Sequence, residues 1–174
     1  GKQSFRENIL FTHKGLSGPA VLQISSYWQP GDTITVCCLA DVDLFGELKQ
    51  HHQDSPNKHL INILKLHFPE RVIEKFCAGH ELNKPLQQYK HSELETIADL
   101  FQKWSFIPSG TEGYKKAEVT LGGVDTDEIS SKTFEAKKVK GLYFIGEVLD
   151  VTGHLGGFNF QWAWASGFCC GQAV

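Results

Sequence analysis

The sequence predicts a mixed fold of strands and helices, and three segments carry that prediction. The β-branched run Thr33–Ala40 is typical of a strand. Over Gln50–Phe106, apolar residues recur at helical spacing. Near the carboxyl end, the apolar run Leu142–Ile145 precedes a glycine-rich loop and a second apolar segment, Gly156–Gly167. A strand, a glycine turn and a helix in that order are typical of α/β folds that bind cofactors at the carboxyl edge of a sheet.

The first part of the chain is predicted to alternate short strands with one helix. Ile9–His13 has the pattern of a strand, and Lys14–Gly18 that of a turn. Ser17 is placed to cap a helix that holds Pro19 in its first turn and continues to Trp28. Since no Gly-x-Ser-x-Gly elbow surrounds Ser17, we interpret this serine as a cap and not as a nucleophile.

The middle of the chain is predicted to form three helices. The first starts at Ser55–Pro56, the second follows Pro69, and the third starts at a capping-box pattern made by Ser92 and Glu95. In each segment apolar residues repeat along one helix face: Leu60, Ile61, Leu64 and Phe68, then Val72, Ile73 and Phe76, and finally Leu94, Ile97, Ala98, Phe101 and Trp104.

A glycine pair follows this helical block. Tyr114–Leu121 is predicted to be extended and to end at Gly122 and Gly123, and Asp125–Lys140 is predicted to be a polar loop with a short helix or strand. Paired glycines let one stretch of backbone approach another group closely. A plain β-turn is the simpler interpretation of this pair.

Gly146 and Glu147 end the predicted strand Leu142–Ile145, which we expect to be buried on both faces. Gly146 would let a ligand approach the backbone, and Glu147 would accept hydrogen bonds from ligand hydroxyls. The alternative is a core strand that ends in a surface glutamate.

The turn at Gly156 and Gly157 is predicted to open a helix whose first N–H groups are free donors with a partial positive charge. The carbonyl-rich edge of a flavin would suit that end. Asn159 and Gln161 are amides among apolar residues, so each needs a partner, either a ligand or a neighbouring loop. Five aromatic residues of this helix are predicted to pack in the core: Phe158, Phe160, Trp162, Trp164 and Phe168. His154, in the preceding loop, is the histidine to test first.

Composition narrows the classes of function. The formal net charge of -3 gives no broad basic field, so no nucleic-acid partner is expected. No apolar run approaches the roughly 20 residues of a membrane span, so no membrane association is expected. Five cysteines without a Cys-x-x-Cys spacing predict reduced, mostly buried thiols in a cytoplasmic protein and no metal site. Because methionine is absent, we expect Gly1 to be a processed or cut end and the chain to be a fragment.

Three carboxyl-terminal motifs resemble the BaiN/YhiN-like family of bacterial flavoproteins, which are NAD(P)/FAD-dependent oxidoreductases. The matching motifs are Thr120–Val124, Gly141–Val151 and Gly156–Gly167. Ile9–Ala20 is similar to a segment of the domain that this family inserts into its FAD domain. The resemblance covers nearly the whole chain, and the long carboxyl-terminal motif is the specific part.

The resemblance implies a three-part organisation. Residues 1–49 would belong to an inserted β-rich domain with a partial β-barrel, residues 50–109 to a helical insert, and residues 110–174 to the carboxyl-terminal strand, loop and helix of a Rossmann-type FAD domain. It also implies eight FAD-binding residues: Gly122, Gly123, Gly146, Glu147, Gly156, Gly157, Phe158 and Asn159.

The Gly-x-Gly-x-x-Gly phosphate loop of such a domain does not occur in the sequence. The chain is therefore predicted to be the carboxyl-terminal fragment of an FAD-dependent oxidoreductase, inactive without the missing amino-terminal half of the FAD domain. The parent would transfer hydride through flavin to a small-molecule substrate, with NAD(P)H as the reductant. No catalytic side chain is assigned. The alternative is a non-catalytic module whose insert region binds a macromolecule.

Overall fold

The computed structural model describes residues 3–174, which divide into two compact units. The first unit joins the chain up to Gln29 with Gly110–Val174, and the second is the continuous segment Pro30–Ser109. The predicted mixture of strands and helices is confirmed. The described residues form two sheets of two strands each and no closed barrel. None of the helices described between residues 3 and 174 is long and apolar enough to cross a membrane.

In the first unit, strand β1 (Leu10–Phe11) pairs antiparallel with β2 (Leu16–Ser17), and helix α1 (Pro19–Ser25) follows. Gly18 is the N-cap residue of α1, so the predicted capping role of Ser17 is wrong. Gly18 has a φ of +94°, and a Cβ there would lie 2.9 Å from the carbonyl oxygen of Asn8. This close approach excludes a larger residue at the start of α1.

The second unit packs four helices beside a two-stranded sheet. The helices are α2 (Leu44–Asp54), α3 (Leu60–His67), α4 (Glu70–Phe76) and α5 (His91–Gln102), and the antiparallel strands are β3 (Ile34–Val36) and β4 (Trp104–Phe106). Helices α3, α4 and α5 confirm the three helices predicted for this region. The core is made of leucine, isoleucine and aromatic side chains, with Phe101 stacked between Phe68 and Phe76 at ring distances of 4.3 and 5.2 Å.

Three predictions about the second unit are wrong. Helix α2 starts at Leu44, before the predicted helical block, because the side chain of Asp43 caps it by accepting from the N–H of Gly46 at 3.0 Å. Helix α5 starts at His91, one residue before Ser92, and its N-cap is Lys90, whose N–H donates to the carboxylate of Glu93 at 2.7 Å. Trp104 lies in β4 and not in a helix, because its backbone pairs with β3.

Helix α6 (Phe158–Gly171) starts immediately after the glycine turn, as predicted. Its buried face joins a small core formed by Ile129, Phe134, Leu149 and Cys170. Four of its five aromatic side chains are exposed, namely Phe158, Phe160, Trp164 and Phe168, so their predicted packing in the core is wrong for the described residues. Only one face of this helix meets the rest of its unit, although its sequence is apolar on several faces.

Two extended segments predicted for the first unit are not strands. Tyr114–Leu121 forms exposed turns and bends. Leu142–Ile145 makes one isolated bridge, between Tyr143 and Glu135, and its two end residues are 41% and 44% exposed. The segment is therefore not buried on both faces, because loops and α6 surround it in place of neighbouring strands.

All five cysteines are free, as predicted, but their burial differs. Cys37 and Cys169 are exposed, so the prediction of mostly buried thiols holds for Cys77 and Cys170 alone. Burial raises the pKa of the Cys77 thiol to about 11. At pH 8 about one Cys77 in a thousand would then be thiolate, the reactive form.

We expect iodoacetamide at pH 8 to alkylate Cys37 and Cys169 well before Cys77. Because the thiolate population rises with pH up to the pKa, labelling of Cys77 should increase about tenfold per pH unit above pH 8. Peptide mass spectrometry at timed intervals measures the rates, and the protein in denaturant is the control in which all five react. Equal rates for Cys77 and Cys37 in the folded protein would contradict this expectation.

Candidate functional site

Gly146 is bonded to helix α6 through both of its backbone groups. It begins the 3₁₀ turn Gly146–Val148, and its N–H donates to Oγ of Ser166 at 2.9 Å. The indole Nε1 of Trp162 donates to the carbonyl oxygen of Gly146 at 3.1 Å. Ser166, which is buried, donates in turn to the carbonyl oxygen of Trp162 at 2.7 Å. The backbone of this predicted site residue is therefore held by the protein itself.

The glycine pair brings two backbone segments together. The N–H of Val124 donates to the carbonyl oxygen of Val148 at 2.8 Å, and the N–H of Asp150 donates to that of Val124 at 2.9 Å. A Cβ on Gly123 would lie 2.6 Å from the carbonyl oxygen of Val148, whereas one on Gly122 would meet nothing within 4 Å. The group that Gly123 approaches closely is thus the backbone following Glu147.

The loop before α6 is fixed to the first turn of that helix. The N–H of Gly153 donates to Oδ1 of Asn159 at 2.7 Å, and Nδ2 of Asn159 donates to the carbonyl oxygen of Gly153 at 3.2 Å. Of the two partners considered for this amide, the structure gives it the neighbouring loop. Gly157, the N-cap residue of α6, has a φ of +85°, and Gly156 has a φ of +119°.

A small polar cleft lies where these segments meet. Its volume is about 90 Å³, and it is lined by Val119, Thr120, Glu147, Val151, Thr152 and Asn159. Two hydroxyls and an exposed carboxylate in this lining are suited to hydrogen bonds with a polyhydroxylated chain. Sites that enclose a small molecule measure roughly 300 to 1,000 Å³, so this cleft is large enough for a part of a cofactor-sized molecule and not for the whole of it.

The eight predicted cofactor residues lie on three adjoining segments of the first unit. Glu147 and Asn159 line the cleft, and Gly146 and Gly123 shape the backbone beside it. Phe158 is exposed at the start of α6. Thr120, Thr152 and Ser166 were missed by sequence reasoning. Thr120 is the first residue of the motif Thr120–Val124, of which only the two glycines were assigned to the site, whereas nothing in the apolar segment around Ser166 indicates its role.

A second cluster forms where His154 meets the amino-terminal segment. The hydroxyl of Tyr27 lies 3.0 Å from Nε2 of His154. The ring of Phe5 contacts His154 edge-on, with ring centres 5.2 Å apart and an interplanar angle of 86°. Sequence reasoning singled out His154 but not Tyr27, because 127 positions separate the two residues.

Replacing Ser166 by alanine is expected to lower the free energy of unfolding by about 2 kcal/mol, because the buried N–H of Gly146 would lose its acceptor. Urea denaturation and the exchange rate of the Gly146 amide measure the effect. The matched control is Ser131→Ala, a serine exposed in the same unit. An unchanged exchange rate at Gly146 would show that Ser166 does not protect it.

The fold and the cleft together define a class of mixed α and β proteins. One unit is mainly helical, and the other has few strands and carries a polar cleft at the start of a helix. Residues 1–119 match the model of the family described as HI0933-like protein barrel and H2TH domain, and the chain belongs to this family. The relationship to BaiN/YhiN-like flavoproteins predicted from the motifs is confirmed at the level of the family.

Three curated relatives illustrate the family. The chain is 54% identical to a ribosomal RNA dihydrouridine synthase from Escherichia coli, over 97% of this chain and 42% of the relative. It is 47% identical to the protein of the same name from Haemophilus influenzae, over 99% of this chain and 43% of the relative. A 3-dehydro-bile acid delta(4,6)-reductase from Clostridium scindens is 30% identical, over 100% of this chain and 46% of the relative. The chain thus spans less than half the length of these relatives.

Proposed function

We propose that this chain is the carboxyl-terminal part of a flavin-dependent reductase that converts uridine in ribosomal RNA to dihydrouridine. The observation that carries the proposal is the polar cleft at the start of α6, whose lining includes Glu147 and Asn159. Identity of 54% and 47% to two proteins named for that reaction supports the choice of substrate.

FAD is the cofactor that the cleft would receive. Glu147 would accept hydrogen bonds from hydroxyls of its ribityl chain, and the Thr120 and Thr152 side chains would complete that contact. The free N–H groups at the start of α6 favour the negative charge of a reduced flavin. Bound FAD would supply the hydride donor, and the protein would supply position and electrostatics. NAD(P)H is the reductant that we propose for the intact enzyme.

The exposed face of α6 supports the proposal that residues 110–174 complete a Rossmann-type FAD domain. Phe160, Trp164 and Phe168 are spaced by four residues, so they lie along one face of the helix, and Trp164 is 78% exposed. Exposed apolar patches of this kind mark interaction surfaces. We propose that the remainder of a protein of the relatives' length covers this face and supplies the phosphate loop of the FAD site.

Proposing an RNA substrate departs from the expectation of no nucleic-acid partner. That expectation rested on the formal net charge of -3 for the whole chain, and it remains untested. Net charge averages over both units, so it is a weak argument about one surface. Cytoplasmic localisation and the lack of membrane association also stay predictions.

A second candidate function is the reduction of a carbon–carbon double bond in a small molecule. The relative named for a bile-acid reductase favours it, and it agrees with the small-molecule substrate predicted from the sequence. We rank it second because that relative is 30% identical, against 54% for the protein named for ribosomal RNA. Both candidates share the chemistry of hydride transfer through flavin.

The test uses the full-length protein that contains this chain. We expect the purified protein to carry FAD, to be bleached anaerobically by NADH or NADPH, and to form dihydrouridine in ribosomal RNA from a deletion strain, as measured by nucleoside mass spectrometry. Glu147→Gln should weaken FAD binding about tenfold, the loss expected for one hydrogen bond to a charged group, whereas the exposed Glu118→Gln should not. A protein that takes up no FAD, or reduced protein that leaves uridine unchanged, would contradict the proposal.

A further inference from the structure

We propose that His154 is the proton donor in this reduction and that Tyr27 orients it. The inference rests on the proposed function, because it assigns a role in the reduction of a carbon–carbon double bond. Such a reduction requires a hydride on one carbon and a proton on the other. His154 lies in the loop before α6 and carries a side chain able to deliver that proton.

The position of His154 is the first argument. It directly follows Gly153, whose backbone is bonded twice to Asn159 in the first turn of α6. His154 therefore belongs to the loop that leads from the polar cleft to the start of that helix. It is the only histidine of the sequence between Asp150 and Cys169, and histidine is the side chain that most often serves as a general acid.

The second argument is the way in which the imidazole ring is held. The Tyr27 hydroxyl bonds Nε2 at 3.0 Å, and the Phe5 ring contacts the imidazole edge-on. Among residues 3–174, no hydrogen bond involves Nδ1 of His154, and the residue as a whole is exposed. One nitrogen is thus fixed by the protein, and the other is left for a ligand or for solvent. A general acid needs this arrangement, since its proton must point away from the group that orients it.

The proposed step adds one hydride and one proton to the uracil C=C bond. The uracil C=C bond gains a hydride on one carbon from reduced flavin, which is oxidised by two electrons. The electron pair displaced from that bond takes the proton from Nδ1 of the protonated imidazole at the neighbouring carbon. His154 is left neutral, with its Nε2–H donating to the Tyr27 hydroxyl, and Nδ1 regains a proton from water. The product has a C–C single bond with one added hydrogen on each carbon.

A packing role is the competing explanation, because Phe5, Tyr27 and His154 form an aromatic cluster. The experiment therefore separates two half-reactions of the full-length protein: reduction of bound FAD by NADPH, and its reoxidation by ribosomal RNA from a deletion strain, both followed anaerobically by flavin absorbance. Removing a general acid slows the step that needs it by about a hundredfold or more. We expect His154→Gln to slow reoxidation by about that factor while reduction by NADPH and FAD content stay unchanged.

Tyr27→Phe tests the orienting contact. We expect about a tenfold slower reoxidation, since the imidazole remains but is no longer held in place. The ring ¹⁵N resonances of His154 in the FAD-free protein give a readout independent of turnover: Tyr27→Phe should shift the Nε2 resonance and leave that of His13 in place. His13→Gln, a change at an exposed histidine of the same unit, is the control and should react as wild type.

Each outcome decides the inference. Normal reoxidation in His154→Gln would overturn it, and so would an equal loss of both half-reactions or of FAD, which would indicate a structural role. An unshifted Nε2 resonance in Tyr27→Phe would overturn the assignment of Tyr27. If wild-type protein binds no FAD, or if RNA does not reoxidise it, the proposed function fails and this inference fails with it. If wild type works and His154→Gln works equally well, the inference alone fails.

Discussion

Gly123→Ala is expected to lower the free energy of unfolding of the first unit by about 3 kcal/mol. The new methyl group would clash with backbone atoms, and the backbone conformation of this residue is strained for any side chain. A Cβ there would lie 2.6 Å from the carbonyl oxygen of Val148 and 2.9 Å from the nitrogen of Asp150. The φ of +151° adds strain for any residue with a side chain. Both contacting atoms belong to the main chain, so neither can rotate away.

The neighbouring glycine is a matched control for this substitution. Gly122 also has a positive φ, +86°, but a Cβ there would meet nothing within 4 Å. Gly122→Ala should therefore cost about 1 kcal/mol, from backbone strain alone. Urea denaturation gives the free energies, and exchange of the Val124 and Asp150 amides tests the bridge directly. Similar losses for the two alanine variants would refute the close-contact explanation.

Phe101→Ala is expected to lower the free energy of unfolding of the second unit by about 4 kcal/mol, because removing a fully buried aromatic ring leaves a cavity. Phe101 stacks on Phe68 and Phe76 at ring distances of 4.3 and 5.2 Å. Its carbonyl oxygen also accepts from the N–H of Cys38 at 2.8 Å, at the point where the chain leaves α5. The ring thus contacts residues next to α3 and in α4, and its loss weakens that packing.

Guanidinium denaturation followed by circular dichroism checks this expectation, since the second unit contains most of the helices. Leu66→Ala is the control, because Leu66 lies on the exposed side of α3 and is 66% exposed. That change should stay within about 0.5 kcal/mol of wild type. A loss at Phe101 no larger than the loss at Leu66 would mean that the ring is not essential to the core.

Helices with a complete apolar stripe were predictable from the sequence. The stripes of α3 and α5 place Leu60, Leu64, Leu94 and Ile97 in the core. The helical spacing of apolar residues wrongly placed Trp104 in the same helix as Phe101. Its position three residues after Phe101 continues the apolar stripe, but its backbone pairs with β3. Long-range strand pairing of this kind leaves no signal in a local window.

In the candidate site, too, local features were predictable from the sequence and long-range contacts were not. The turn at Gly156 and Gly157 and the start of α6 were predictable, since glycines before an apolar segment specify a local geometry. The bond from Gly146 to Ser166 and the contact between Tyr27 and His154 were not, because each joins residues far apart in the chain. The prediction of a buried strand at Leu142–Ile145 was wrong because it rested on apolar composition alone. Composition does not show whether other strands lie beside the segment, and here none does among the described residues.

The first unit is assembled from both ends of the chain, and this has a consequence for its biosynthesis. A polypeptide emerges from its amino end, so residues 30–109 are complete and able to collapse while α6 is still unmade. The partner of Tyr27, His154, is synthesised 127 residues later. We therefore expect the helical unit to be able to fold before the contact between Tyr27 and His154 forms.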